Sequence, residues 1–147
     1  MKRFFNLTFK PFFAITGIAT ALCVVFALWP RWAAEKALLI PFDQNYLIVL
    51  RHWGIMLGLT GVFMVIAAFR ADVRTPVLIF SACEKAFFVY LVATNLGQPY
   101  ARGFWVGAAM DATVVLYTVL YFAVCGFHAW TAKGGVPAGK SIRHDPA

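Results

Sequence analysis

Acidic residues are scarce in this chain: there are six Asp and Glu among 147 residues, against thirteen Lys and Arg, and charged side chains make up 13% of the total. Soluble domains carry about 25% charged residues. With 62% hydrophobic residues, too few polar side chains remain to clothe a water-soluble core of this length. An ordinary soluble domain is thereby excluded, and an aromatic content of 17% excludes a disordered chain. Cysteine is also sparse. Cys23, Cys83 and Cys125 stand singly inside apolar stretches without C-x-x-C spacing, which makes them small packing residues and not a disulfide framework or metal site. Nucleophile elbow, phosphate loop, zinc-type H-x-x-x-H and dinucleotide fingerprint are all missing. No catalytic residue and no metal ligand is assigned on this basis. Basic runs are missing too: the net charge of +7 comes from scattered residues. That pattern speaks against a nucleic-acid partner and for basic loops retained on one side of a membrane.

What the sequence does have is long apolar runs, and its mean hydropathy is +0.76. Four helices are predicted over residues 12–29, 46–69, 76–94 and 104–125, each near the roughly 20 residues that cross a hydrocarbon core of about 30 Å. Pro30 and Arg31 close the first and Arg70 the second. Pro76 suits the first turn of the third, which breaks at the Asn95-Leu96-Gly97-Gln98-Pro99 run, and Gly126 follows the fourth. Residues 1–11 read as a short basic lead-in, and residues 131–147 as a flexible cytoplasmic tail. The first apolar run is long for a cleaved signal peptide, and a cut after Ala34 would place Trp32 at its third position, so a retained helix is expected. The expected fold is all-α: an integral membrane four-helix bundle forming one domain over residues 1–130.

Orientation follows from the basic residues. Lys2, Arg3, Lys10, Arg70, Arg74, Lys133, Lys140 and Arg143 fall on one side, against Arg31, Lys36 and Arg102 on the other. The positive-inside rule then puts both termini in the cytoplasm, and the localisation implied is the bacterial cytoplasmic (inner) membrane. Trp29, Trp32, Tyr46, Trp53, Tyr100 and Trp105 crowd the opposite boundary as an aromatic belt.

The informative residues are those that are polar at depth. A charge near the bilayer centre costs about 2.5–3.5 kcal/mol on insertion scales. Arg51 and His52 on the second helix, Glu84 and Lys85 on the third and Asp111 on the fourth therefore need partners, and the four formal charges among them cancel. Helical spacing collects inner stripes of Thr16, Thr20, Cys23 and Ala27; Arg51, Gly54, Gly58, Gly61 and Val65; Ser81, Glu84, Phe88, Leu91 and Asn95; and Gly107, Asp111, Val114, Thr118, Tyr121 and Cys125. Gly54-x-x-x-Gly58 and Gly61 let a neighbouring backbone approach, while Gly103 and Gly107 serve the bundle or a partner. Each polar residue also has a plainer reading. Arg51 snorkels to the headgroups, His52 is an interfacial polar tip, and Glu84 and Asp111 form buried ion pairs that fix helix register.

Arg51-His52-Trp53-Gly54, Arg74-Thr75-Pro76, Glu84-Lys85 and Asp111, spread over four short-looped spans, resemble small bacterial membrane proteins of the DoxX-like superfamily over residues 12–125. The resemblance implies a four-helix membrane fold, and it implies either a subunit linked to quinone-coupled sulfur oxidation or one that assists a membrane complex. No added redox domain accompanies it here.

Two functions are consistent with these features. The first is a non-catalytic accessory or assembly subunit packing against a larger membrane complex or against copies of itself, through lipid-facing Phe4, Phe5, Phe12, Phe13, Phe63, Phe87, Phe88, Phe104, Phe122 and Phe127. The second is a small-molecule site inside the bundle, serving quinone-linked redox chemistry or transport, with proton relay through Glu84 as its sharpest form. No cofactor is required. Haem would rest on His52 alone, and a quinone is the one candidate, with Arg51, His52, Tyr90 or Asp111 available to hydrogen-bond its carbonyls.

Overall fold

The computed structural model describes residues 2–126. Among these it contains helices and no strands, and four helices are long and apolar enough to cross a membrane. The all-α reading holds, and four such helices fit a multi-pass membrane protein. Their outward faces are apolar: Leu7, Ile48, Val106 and Leu116 are all largely exposed, as a lipid-facing surface requires. Phe127 and the tail expected at 131–147 lie outside the described residues.

The first helix begins earlier than its hydropathy predicts. It runs over Lys2–Ala21, passes through a tight 3-10 turn at Leu22–Val24 and ends after Val25–Leu28. Residues 4–11 are therefore part of the bundle and not a lead-in. Phe5, Phe9 and Phe13 recur every four residues and are buried, which places one ring per turn on a single face. Tyr121 packs against Phe5 and Phe9, and Tyr117 stacks on Phe12 with ring centroids 4.1 Å apart. Thr8 donates to the Phe4 carbonyl, which leaves its oxygen to accept from the Tyr117 hydroxyl at 2.8 Å. Basic Arg3 and Lys10, together with Pro11, conceal this aromatic ladder from a hydropathy reading.

The second helix, Leu47–Phe69, follows its expected bounds closely, whereas the third starts at Ala71 and not at Pro76. A single extended residue, Arg70, joins the two. Asp72 supplies an acidic group in the first turn of the third helix, favourable at that pole of the helix dipole, and pairs with Arg70 at 2.7 Å. Arg74 donates to the Ala67 carbonyl and lies 4.3 Å from the centre of the Phe9 ring. The third helix ends at Thr94. A 3-10 segment at Pro99–Phe104 then leads into the fourth, Trp105–Cys125.

Packing divides the bundle into two close pairs, first with second and third with fourth. Glycine sets the first pair. A Cβ on Gly54 would come within 2.6 Å of the Ala27 nitrogen, and one on Gly61 would run into the backbone of Ala21 and Gly17. Gly17, outside the expected stripe, is thus the partner that lets the two backbones meet. At one end of the bundle Phe9, Phe13, Met64, Ala68, Leu78 and Val114 form a packed core.

Residues 30–46 form a strap across the other end. Short helical turns at Pro30–Trp32 and Ala33–Ala37 bury Ala33, Ala34 and Leu38. Leu39 takes a left-handed conformation at φ 58° to turn the chain. The backbone of Leu38 presses on Gly103, where a Cβ would collide with the Leu38 carbonyl. Gly103→Ala should accordingly lift the strap. A reporter thiol introduced by Ala34→Cys should then react with a maleimide at least tenfold faster than in the Gly103 background. Equal rates would mean that the strap accommodates the methyl.

Candidate functional site

The third helix makes the site by carrying two adjacent ionisable residues on different faces. Successive residues sit about 100° apart around a helix, so Glu84 and Lys85 cannot point the same way. The buried stripe is Leu78, Ser81, Lys85 and Val92, one residue out of register with the expected one through Glu84. Lys85 therefore turns towards the fourth helix. Its side chain is 1% exposed, and its Nζ donates to Asp111 Oδ1 at 2.7 Å. Asp111 itself is buried, on a stripe with Ala108, Val114 and Thr118. This ion pair is the polar link between the third and fourth helices.

Glu84 faces the interior from beside the pair. Its Oε2 lies 3.9 Å from Lys85 Nζ, an ion-pair distance too long for a hydrogen bond. Although 28% of the side chain remains accessible, Oε2 itself is shielded and accepts no hydrogen bond among the described residues. With all three groups ionised, the cluster carries two negative charges and one positive.

These three residues form the polar end of a cavity of about 250 Å³. Thr20, Cys23 and Phe26 line it from the first helix, Trp53 and Leu57 from the second, and Gly107 and Met110 from the fourth. The strap roofs it with Ala37 and Leu38, and Gly103 and Phe104 complete the wall. The Thr20 hydroxyl donates to the Thr16 carbonyl within its own helix. The rings of Trp53, Phe88 and Phe104 stand 6.0 to 6.4 Å apart, with Phe26 stacked on Trp53 at 5.1 Å. A second cavity of about 380 Å³ lies beneath Pro41, Phe42 and Tyr46, and it shares Leu38, Trp53, Phe88 and Phe104 with the first. The aromatic rings thus stand between the polar end and the strap-side surface.

Of the five polar residues expected at depth, Glu84, Lys85 and Asp111 come together, while Arg51 and His52 face outwards. The reason is the length of the first helix. Its Ala27 nitrogen lies over Gly54, so no first-helix turn remains to cover Arg51 three residues further on. The charge balance expected with Arg51 in the cluster is therefore not the one the fold builds. Gly54, Gly58 and Gly61 lie against the first helix, Gly103 against the strap, and Gly107 opens onto the cavity with Phe88 as its neighbour. Phe104, expected on the lipid face, lines the cavity instead, as does Phe88, which helical spacing also places on an inner stripe, and Phe5 and Phe13 are buried. Phe4, Phe63 and Phe87 do face outwards. The wall contributed by Phe26, Leu38 and Phe104 had no sequence signal beyond apolarity. No cluster of three His, Cys, Asp or Glu residues suited to a metal occurs among the described residues.

The site defines a class: a four-helix bundle of membrane-spanning dimensions with a buried ion pair lining an aromatic-walled cavity. Protein-family models, curated proteins and solved structures yield no match to the chain.

Proposed function

We propose that this protein is a multi-pass protein of the bacterial cytoplasmic membrane, with both termini in the cytoplasm, that binds a small lipophilic molecule inside its bundle. The observation that carries this reading is the cavity itself, polar at one end and aromatic along its walls. Its volume of about 250 Å³ falls below the roughly 300–1,000 Å³ of drug-sized pockets, which favours a ligand of one ring and a short polar head. The head would lie against Glu84 and the Lys85–Asp111 pair, with the ring against the wall that Trp53, Phe88 and Phe104 form. The quinone-linked activities implied by the DoxX-like resemblance belong to the same class of ligand. Lys85 Nζ, with N–H groups beyond the one given to Asp111, is the donor in the cavity that a quinone carbonyl would use. The accessory-subunit reading rests on small size, the lack of catalytic motifs and apolar outward faces, and a bilayer alone already demands the last of these.

Photolabelling tests the site directly. The purified protein in detergent should be labelled by the neutral probe 3-trifluoromethyl-3-phenyldiazirine in a saturable manner on the segments carrying Trp53 and Phe88. Labelling that rises linearly with probe concentration, or that falls only on outward residues such as Ile48 and Leu116, would remove the proposal.

A further inference from the structure

The composition of the polar end goes further than the presence of a cavity and points to the chemistry of its occupant; this step rests on the small-molecule reading above. Lys85 is the single cation among the residues lining the cavity, and its charge is taken up by Asp111 at 2.7 Å. Glu84 is left over. Glu84 lines the cavity, and its Oε2, 3.9 Å from the ammonium that Asp111 already holds, accepts no hydrogen bond among the described residues. What Glu84 lacks is a hydrogen-bond donor and a positive charge of its own, and a quinone, bringing two acceptor carbonyls, supplies neither.

The walls fit the same requirement. Phe88 lies four residues beyond Glu84 on the same helix, one turn nearer the strap. Trp53 and Phe104 face it at 6.4 and 6.0 Å between ring centres. Aromatic faces attract a cation held within about 6 Å of the ring centre, tryptophan most strongly, and such cages recognise substituted ammonium groups. A carboxylate at the base of three aromatic rings therefore offers a lipophilic ammonium both a counter-charge and a cage. The neighbouring cavity beneath Pro41 and Phe42 would take an apolar extension of the same molecule.

We infer that the cavity binds a small lipophilic organic cation, a substituted ammonium carrying an apolar ring, with its charge against Glu84 and its substituents among Trp53, Phe88 and Phe104. A proton on Glu84 balances the cluster equally well, and the test separates the two. Benzyltrimethylammonium and its uncharged carbon counterpart, neopentylbenzene, have nearly the same shape. Each is added to the wild-type protein during labelling with the phenyldiazirine probe. The cation should displace the probe at a concentration at least tenfold lower than the hydrocarbon, and Glu84→Gln should abolish most of that advantage while saturable labelling persists. Equal displacement by the two compounds, or stronger displacement by the hydrocarbon, overturns the cation inference and leaves the cavity intact as a binding site. Absence of saturable labelling in the wild-type protein instead defeats the underlying small-molecule reading. The decisive comparison uses the wild-type chain alone, so it survives a Glu84→Gln variant that does not fold.

Discussion

Asp111→Ala is expected to cost the fold about 3–5 kcal/mol, the range found when one partner of a buried ion pair is removed. Lys85 would remain 1% exposed with its hydrogen-bond acceptor gone and Glu84 at 3.9 Å as the nearest counter-charge. The penalty comes from the stranded ammonium more than from the lost attraction, because a desolvated charge without a partner is the costly species. Adding Lys85→Met should therefore restore most of the loss, since an apolar pair of similar length removes the need for a counter-charge. The measurement is the fraction of protein remaining monodisperse after heating in detergent, compared across wild type, single and double variants. A double variant no more stable than Asp111→Ala alone would show that the pair contributes something other than mutual neutralisation.

Gly61→Ala should be the most damaging of the conservative glycine changes at the interface of the first and second helices. The added methyl meets backbone atoms of Ala21 and Gly17, which cannot rotate aside as a side chain would. The first and second helices would have to separate along the interface on which they pack most extensively. Overpacking costs about 1–3 kcal/mol where side chains can adjust, and a backbone obstacle belongs at or above the top of that range. Gly107→Ala provides the contrast, because its methyl would meet only Phe88 Cε1 at 3.7 Å, an ordinary contact. It should instead gain about 0.5–1 kcal/mol from helix propensity. Chemical denaturation of both variants in the same detergent decides the matter, and a Gly61→Ala protein as stable as wild type would contradict the close approach.

Much of the bundle could be read from the chain because apolar length and glycine spacing are local properties. The second and fourth helices fall almost where hydropathy places them, and Gly54, Gly58 and Gly61 mark the close interface without any knowledge of its partner. Gly17 escaped because a lone glycine in an apolar run has no spacing to announce it. The polar residues behave differently. That Lys85 and Asp111 must find partners follows from their cost in an apolar interior, but whether Glu84 or Lys85 turns to the fourth helix depends on a rotation of about 100° that both stripes of the third helix allow. Arg51 lies on the same face as Gly54, yet its exposure is decided by where a different helix stops. The strap is legible only in three dimensions, since the contact of Leu38 with Gly103 joins distant parts of the sequence whose composition is unremarkable.

The Lys85–Asp111 pair also sets a clock on synthesis. Asp111 leaves the ribosome 26 residues after Lys85, an interval of about 1–5 s at ordinary elongation rates of roughly 5–20 residues per second. During that interval the third helix carries an ammonium whose acceptor has not yet been made. On the proposed membrane reading, this helix cannot settle in lipid by itself without bearing the full cost of that charge. Pairing with Asp111 relieves that cost only when the fourth helix arrives, which favours entry of the two helices as one hairpin.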